Sequence, residues 1–128
     1  MGTDYLIFHW IVHFLLVLLL YNLFSFNLKV LLVALVGTIL MDVDHLPSLR
    51  KLGIKKYVYL RGVVEFGKPR KYFLHNLFTI AFLSGGCFLM LTQSTFYFGV
   101  LCLSMLLHLL WDLFEDVFLF KKGIEHWL

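Results

Sequence analysis

FYFGVLCLSMLLHLLWDLFED, residues 96–116, decides the fold. About 20 mostly apolar residues wound as an α-helix cover the roughly 30 Å of hydrocarbon in a bilayer. This run meets that length, and His108 and Asp112 bring charge-bearing groups into its apolar body before the polar end at Glu115 and Asp116. It reads as a transmembrane helix with two ionisable groups in its second half. They are four residues apart, so they share one helix face. Ionisable groups inside a span are costly, and each marks a functional hypothesis.

Three more such stretches lie upstream, at about 5–24, 28–45 and 72–92. The first has no Lys or Arg before it and no small-residue cleavage site after it, so it reads as an uncleaved span rather than a signal peptide. Ser25-Phe26-Asn27 and Gln93-Ser94-Thr95 are short polar connections. The apolar core of the second stretch, Val30 to Met41, is short for a span. The prediction is an all-α, polytopic membrane protein: one domain over residues 1–128 with four transmembrane helices.

Composition agrees. The 128 residues are 61% hydrophobic and 15% charged, with a mean hydropathy of +0.87. Soluble domains are about half apolar and about a quarter charged, and a small domain has too little interior to hide more. A water-soluble monomer, a disordered chain and a nucleic-acid-binding module are excluded on that ground. Cys87 and Cys102 both sit in apolar runs and read as small hydrophobes rather than a disulfide pair. Thr79, Ser84, Gly85, Gly86 and Gly99 read as helix-packing residues.

Residues 46–71 differ from the rest. They hold Arg50, Lys51, Lys55, Lys56, Arg61, Lys68, Arg70 and Lys71, eight of the eleven basic residues, against the single acid Glu65. The positive-inside rule puts this loop in the cytoplasm. Four spans then place both termini there too. The loop's apolar residues suggest that it lies along the membrane surface.

With that topology, His9 and His13 come early in a span that starts at the cytoplasm, and His75 opens another. Asp42, Asp44 and His45 come late in a span that ends there, as do His108 and Asp112. All eight fall within about 15 Å of the cytoplasmic boundary. Bundle topology makes them neighbours. His9 and His13 share a face, as do Asp42 and His45. Pro47 disfavours helix at Leu46, so the second span ends near Asp44, and an unwound end could turn Asp42, Asp44 and His45 inward. Imidazoles with carboxylates suit a divalent transition metal. Zinc is preferred, manganese or iron stay open, and the candidates suffice for one ion or two. Glu115 and Asp116 read as solvated.

Three segments carry a family resemblance. Gly37-Thr38-Ile39-Leu40-Met41-Asp42-Val43-Asp44-His45 resembles the G-x-x-x-P-D-x-D-H segment of the membrane-bound metal-dependent hydrolases, some of whose members are LexA-regulated. Arg70-Lys71-Tyr72-Phe73-Leu74-His75-Asn76 falls where that family has H-R-G-x-T-H-S. His108-Leu109-Leu110-Trp111-Asp112 is similar to its S-H-L-L-L-D. The early histidine of the first span fits as His9 or His13. Met41 replaces the family's Pro, Leu107 replaces the Ser before His108, and of the middle motif's polar core only His75 remains. The resemblance implies a metal site that includes Asp42, Asp44, His45, His75, His108 and Asp112, at a membrane surface.

Three functions fit these residues. The leading one is a metal-dependent hydrolase of a lipid or lipid-linked (phospho)ester at the cytoplasmic face. Asp42 or Asp44 would act as the proton-accepting carboxylate, and Arg50, Arg61, Arg70 or Lys71 would hold a phosphate. The second is a haem-binding electron carrier, with His13 and His108 as axial ligands. The third is a small membrane subunit or assembly factor, whose polar cluster glues helices together or holds a structural ion. Membrane lipid is the expected partner, and a homo-oligomer or larger membrane complex stays open.

Overall fold

The computed structural model describes residues 2–46, 50, 73–119, 124 and 127–128, and no strand occurs among them. The interfacial loop expected over 46–71 lies outside the described residues except at its first residue and at Arg50, which is exposed.

Helix α1 spans Gly2–Leu23. It ends in a tight reversal in which Ser25 and Phe26 take left-handed φ angles of 59° and 58°. Phe26 then sets its ring edge-on to Tyr21, with centroids 5.3 Å apart. Asn27 starts α2, Leu28–Met41, by accepting a hydrogen bond from the Lys29 backbone N–H at 2.9 Å. This satisfies one of the free donors of the first turn.

The α-helix closes at Met41, and Asp42–His45 continue it as a 3₁₀ turn. Positions i and i+3 eclipse in a 3₁₀ helix. The change of winding therefore lines Asp42 up with His45. The expected helical end near Asp44 is replaced by this tighter turn, and the Asp44 side chain lies outside what is described.

Helix α3 is Leu77–Cys87, shorter than the expected 72–92. Asn76 delays its start: its side chain accepts from the Thr79 backbone N–H at 2.9 Å. His75 thus lies just before the cap, in a bend, rather than within a span. Two 3₁₀ turns, Phe88–Leu91 and Gln93–Thr95, lead to α4, Phe96–Phe114, which runs on as a π-helical turn over Glu115–Leu119. One described helix, Phe96–Leu119, is long and apolar enough to cross a membrane; Ile7–Leu23, Leu28–Met41 and Leu77–Met90 are apolar but shorter.

Helix α4 is the central element and packs against α1, α2 and α3. Two glycines permit the closest approaches. A Cβ on Gly37 of α2 would collide with Ser104 Oγ and stand 3.0 Å from the Leu101 carbonyl oxygen, and one on Gly99 would run into Met90. One apolar cluster, Val17, Leu20, Val30, Ala34 and Val100, fills the end near the α1–α2 turn. The other, Met41, Leu83, Cys102, Leu109 and Trp127, lies nearer the opposite end. Cys87 and Cys102 are both free.

The distribution of polarity is inverted relative to a soluble domain. His9, His13, His45, His75, His108, Asp112 and Glu115 are buried, while Phe14, Leu23, Leu32, Ile39, Phe78, Phe82 and Phe98 are exposed.

Candidate metal centre

The buried polar residues meet in one pocket. His9 and His13 enter from α1, Asp42 and His45 from the turn that ends α2, His75 from the bend before α3, and His108 and Asp112 from α4. Seven of the eight metal candidates predicted from sequence are therefore together, with Asp44 outside the described side chains. Of the predicted phosphate ligands, Arg61, Arg70 and Lys71 lie outside the described residues.

Asp112 is at the centre. Its Oδ1 lies 3.3 Å from His13 Nε2 and 3.8 Å from His9 Nδ1. Its Oδ2 lies 2.9 Å from His75 Nε2 and 3.3 Å from His108 Nε2. Asp42 Oδ1 lies 3.7 Å from His108 Nε2 and 3.6 Å from His45 Nε2. The His13 and His108 rings stack at 3.8 Å between centroids, tilted by 15°. The rings of His45 and His75 stand 4.8 Å apart, edge to face.

Glu115 corrects the sequence reading. It is 3% exposed rather than solvated. His9 Nδ1–H donates to its Oε2 at 2.9 Å, and Trp111 Nε1–H donates to its Oε1 at 2.6 Å. Paired with an ionised carboxylate, which can only accept, a neutral His9 carries its proton on Nδ1 and its lone pair on Nε2. That Nε2 faces His13 Nε2 at 3.1 Å. Glu115 is 7 residues after His108 and 3 after Asp112, the i, i+4, i+7 spacing of one helix face, and that spacing is the signal for it. Asp116 is likewise engaged, accepting from Trp127 Nε1–H at 3.1 Å.

The donor set could hold a metal ion. His9, His13, His108 and Asp112 can each offer a ligand atom within 4.8 Å of the others, and Asp42, His75 and His108 form a second such group. Asp42 Oδ1 and Oδ2, His108 Nδ1 and Nε2, His13 Nδ1 and Asp112 Oδ1 are buried without a hydrogen-bond partner among the described residues. A buried polar atom without a partner carries a large desolvation cost, which a cation at the centre of the group would offset.

The carboxylate–imidazole pair at Glu115 also has the form that orients metal-binding histidines. Glu115→Gln is expected to weaken metal binding about 10–100-fold, because the amide fixes the His9 tautomer less firmly. Competition with a chromophoric chelator measures this. Unchanged affinity in a folded Glu115→Gln protein would make Glu115 a packing residue only.

No protein-family model, curated protein or solved structure matches the chain.

Proposed function

We propose that the protein is a membrane-embedded, metal-dependent hydrolase that acts on a lipid or lipid-linked phosphoester at the cytoplasmic face. The observation that carries this reading is the convergence of buried imidazoles and carboxylates from four separate segments, with partnerless ligand atoms among them. The resemblance to the membrane-bound metal-dependent hydrolases supports it.

The membrane part of the proposal rests on the inverted polarity and on length. Helix α1 is about 33 Å long, and α4 with its π turn about 36 Å. Helix α2 with its 3₁₀ extension reaches about 29 Å, because 3₁₀ winding rises about 2.0 Å per residue. Helix α3 with its own extension reaches about 25 Å, short of the roughly 30 Å of hydrocarbon, so it would need local thinning. Four spans, with the basic loop and both termini in the cytoplasm, fit these lengths and the charge distribution. In that topology the cluster lies on the inner-leaflet side.

A bound divalent ion, zinc by preference, would supply Lewis acidity, lowering the pKa of a water from 15.7 to about 7 and offsetting charge on the attacked group. The chain's own residues do the rest. Asp112 and the histidines hold the ion. Glu115 keeps His9 in the ligating tautomer. Asp42, with Oδ1 3.7 Å from His108 Nε2, completes the ligand set, and Asp44 is the carboxylate left to take the proton. Arg50, Arg61, Arg70 and Lys71 bind phosphate by charge-assisted hydrogen bonds.

His108→Ala and Asp42→Ala are each expected to abolish tight metal retention and to reduce hydrolysis of a phosphoester lipid in mixed micelles at least 100-fold. Metal content by mass spectrometry and phosphate release are the measurements. If both variants purify with full metal content, the ligand assignment is wrong.

One observation favours a second, non-catalytic reading, a membrane subunit with a structural ion: His13 and His108 are each only 1% exposed. Wild-type protein that holds its metal but hydrolyses no phosphoester would support that reading. The haem reading would require the His13 and His108 rings, stacked at 3.8 Å, to part around a porphyrin.

A further inference from the structure

We infer that the pocket is built for two ions, with the Asp112 carboxylate as the bridge between them. This rests on the metal-centre part of the function proposed above.

The two oxygens of Asp112 face different partners. Oδ1 lies toward His13 and His9, and Oδ2 toward His75 and His108. Ligand atoms around a tetrahedral ion, at 2.0–2.1 Å from it, stand about 3.3 Å from one another. His9 Nε2 to His13 Nε2 is 3.1 Å, and His13 Nε2 to Asp112 Oδ1 is 3.3 Å. These are edges of one ligand set. His108 Nε2 to Asp112 Oδ2 is 3.3 Å, His75 Nε2 to the same oxygen is 2.9 Å, and Asp42 Oδ1 stands 3.7 Å from His108 Nε2. These are edges of another. The first half-site is His9, His13 and Oδ1, and His108 lies within reach of both groups. The second is His75, His108, Asp42 and Oδ2, with His45 beside Asp42.

Supply and charge point the same way. A structural or catalytic zinc takes three or four protein ligands, whereas this pocket gathers seven candidate groups. Among the described side chains, three carboxylates, Asp42, Asp112 and Glu115, line it. One divalent ion would leave a net negative charge in a buried site, which is costly. Two leave a net positive charge, open to an anionic ligand such as a phosphate group. Paired ions about 3.5–4 Å apart, bridged by a carboxylate, are a recurrent arrangement for phosphoester hydrolysis.

The test is metal stoichiometry in the full-length protein. Protein in detergent is stripped with chelator, titrated with Co(II) alone, and assayed for cobalt per chain, with electron paramagnetic resonance to detect spin coupling between ions. The expected results are two coupled ions for the wild type, one uncoupled ion for His13→Ala, one for His75→Ala and none for Asp112→Ala. If either alanine variant loses helicity, His13→Asn and His75→Asn replace them with the same expectation. A wild type that saturates at one ion overturns the bridge and leaves the metal centre standing. A wild type that binds none overturns both. Loss of both ions from His13→Ala and from His13→Asn would show a single shared site and overturn the bridge.

Discussion

Asp112→Ala is expected to empty the pocket of metal. Among the described residues no other side chain touches as many of the ligand groups: its two oxygens lie within 4 Å of His9, His13, His75 and His108. Binding of about 10–16 kcal/mol shared over four ligands gives each a weight of roughly 2.5–4 kcal/mol, or a loss of about 10²–10³-fold in affinity when one is removed. Removing a shared ligand costs more than removing a terminal one. Asp112→Asn separates charge from shape, since the amide occupies the same volume. It should also lose the metal, because an amide oxygen is a poorer donor and the pocket loses a negative charge. Retention of metal by Asp112→Asn at wild-type affinity would remove Asp112 from the ligand set. Helix content by circular dichroism should stay near wild type, as α4 keeps its apolar contacts with the other three helices.

The second large effect is on the scaffold. Gly37→Leu places a side chain where α2 and α4 come closest, against Ser104 and the Leu101 carbonyl. Backbone cannot rotate away as a flexible side chain can, so the helices must separate. Overpacking of this kind costs about 3 kcal/mol. Because α2 carries Asp42 and His45 at its end, separation also pulls one wall from the pocket. The expected result is a lower thermal midpoint together with weaker metal binding. Gly85→Ala is the control. A Cβ there meets nothing within 4 Å, so Gly85 is not the packing contact expected from sequence, and alanine should raise helix stability by up to about 1 kcal/mol. Equal destabilisation by both changes would refute the close-approach account of Gly37.

Much of the pocket is legible in the sequence because its spacing is helical. His9 with His13, and His108 with Asp112, repeat at i, i+4 and so had to share a face whatever the tertiary arrangement. The positive-inside rule adds the expectation that they share one depth in the bilayer. What is not legible follows from local departures from the α-helix. The 3₁₀ turn at Asp42–His45 changes which residues align, and nothing in DVDH alone distinguishes it from an α-helical end. Asn76 shortens α3 by acting as its cap, and the apolar run on both sides of it hides that boundary. Glu115 reads as solvated from the sequence because it stands at the end of the apolar run. Its burial depends on two partners from opposite ends of the chain, His9 and Trp111, and only the i+7 spacing from His108 hints at it. Composition predicts apolar exteriors well, since an excess of Phe and Leu must face something other than water.

Elemental analysis of the wild-type protein, purified in mild detergent with neither metal nor chelator added, tests the central claim most directly. The account predicts a first-row transition metal in stoichiometric amount, at one or two ions per chain, with an X-ray absorption spectrum dominated by nitrogen and oxygen neighbours. Protein that is folded, binds no transition metal when zinc, manganese or iron is supplied, and keeps His9, His13, His75 and His108 hydrogen-bonded to Asp112 and Glu115 alone would contradict it.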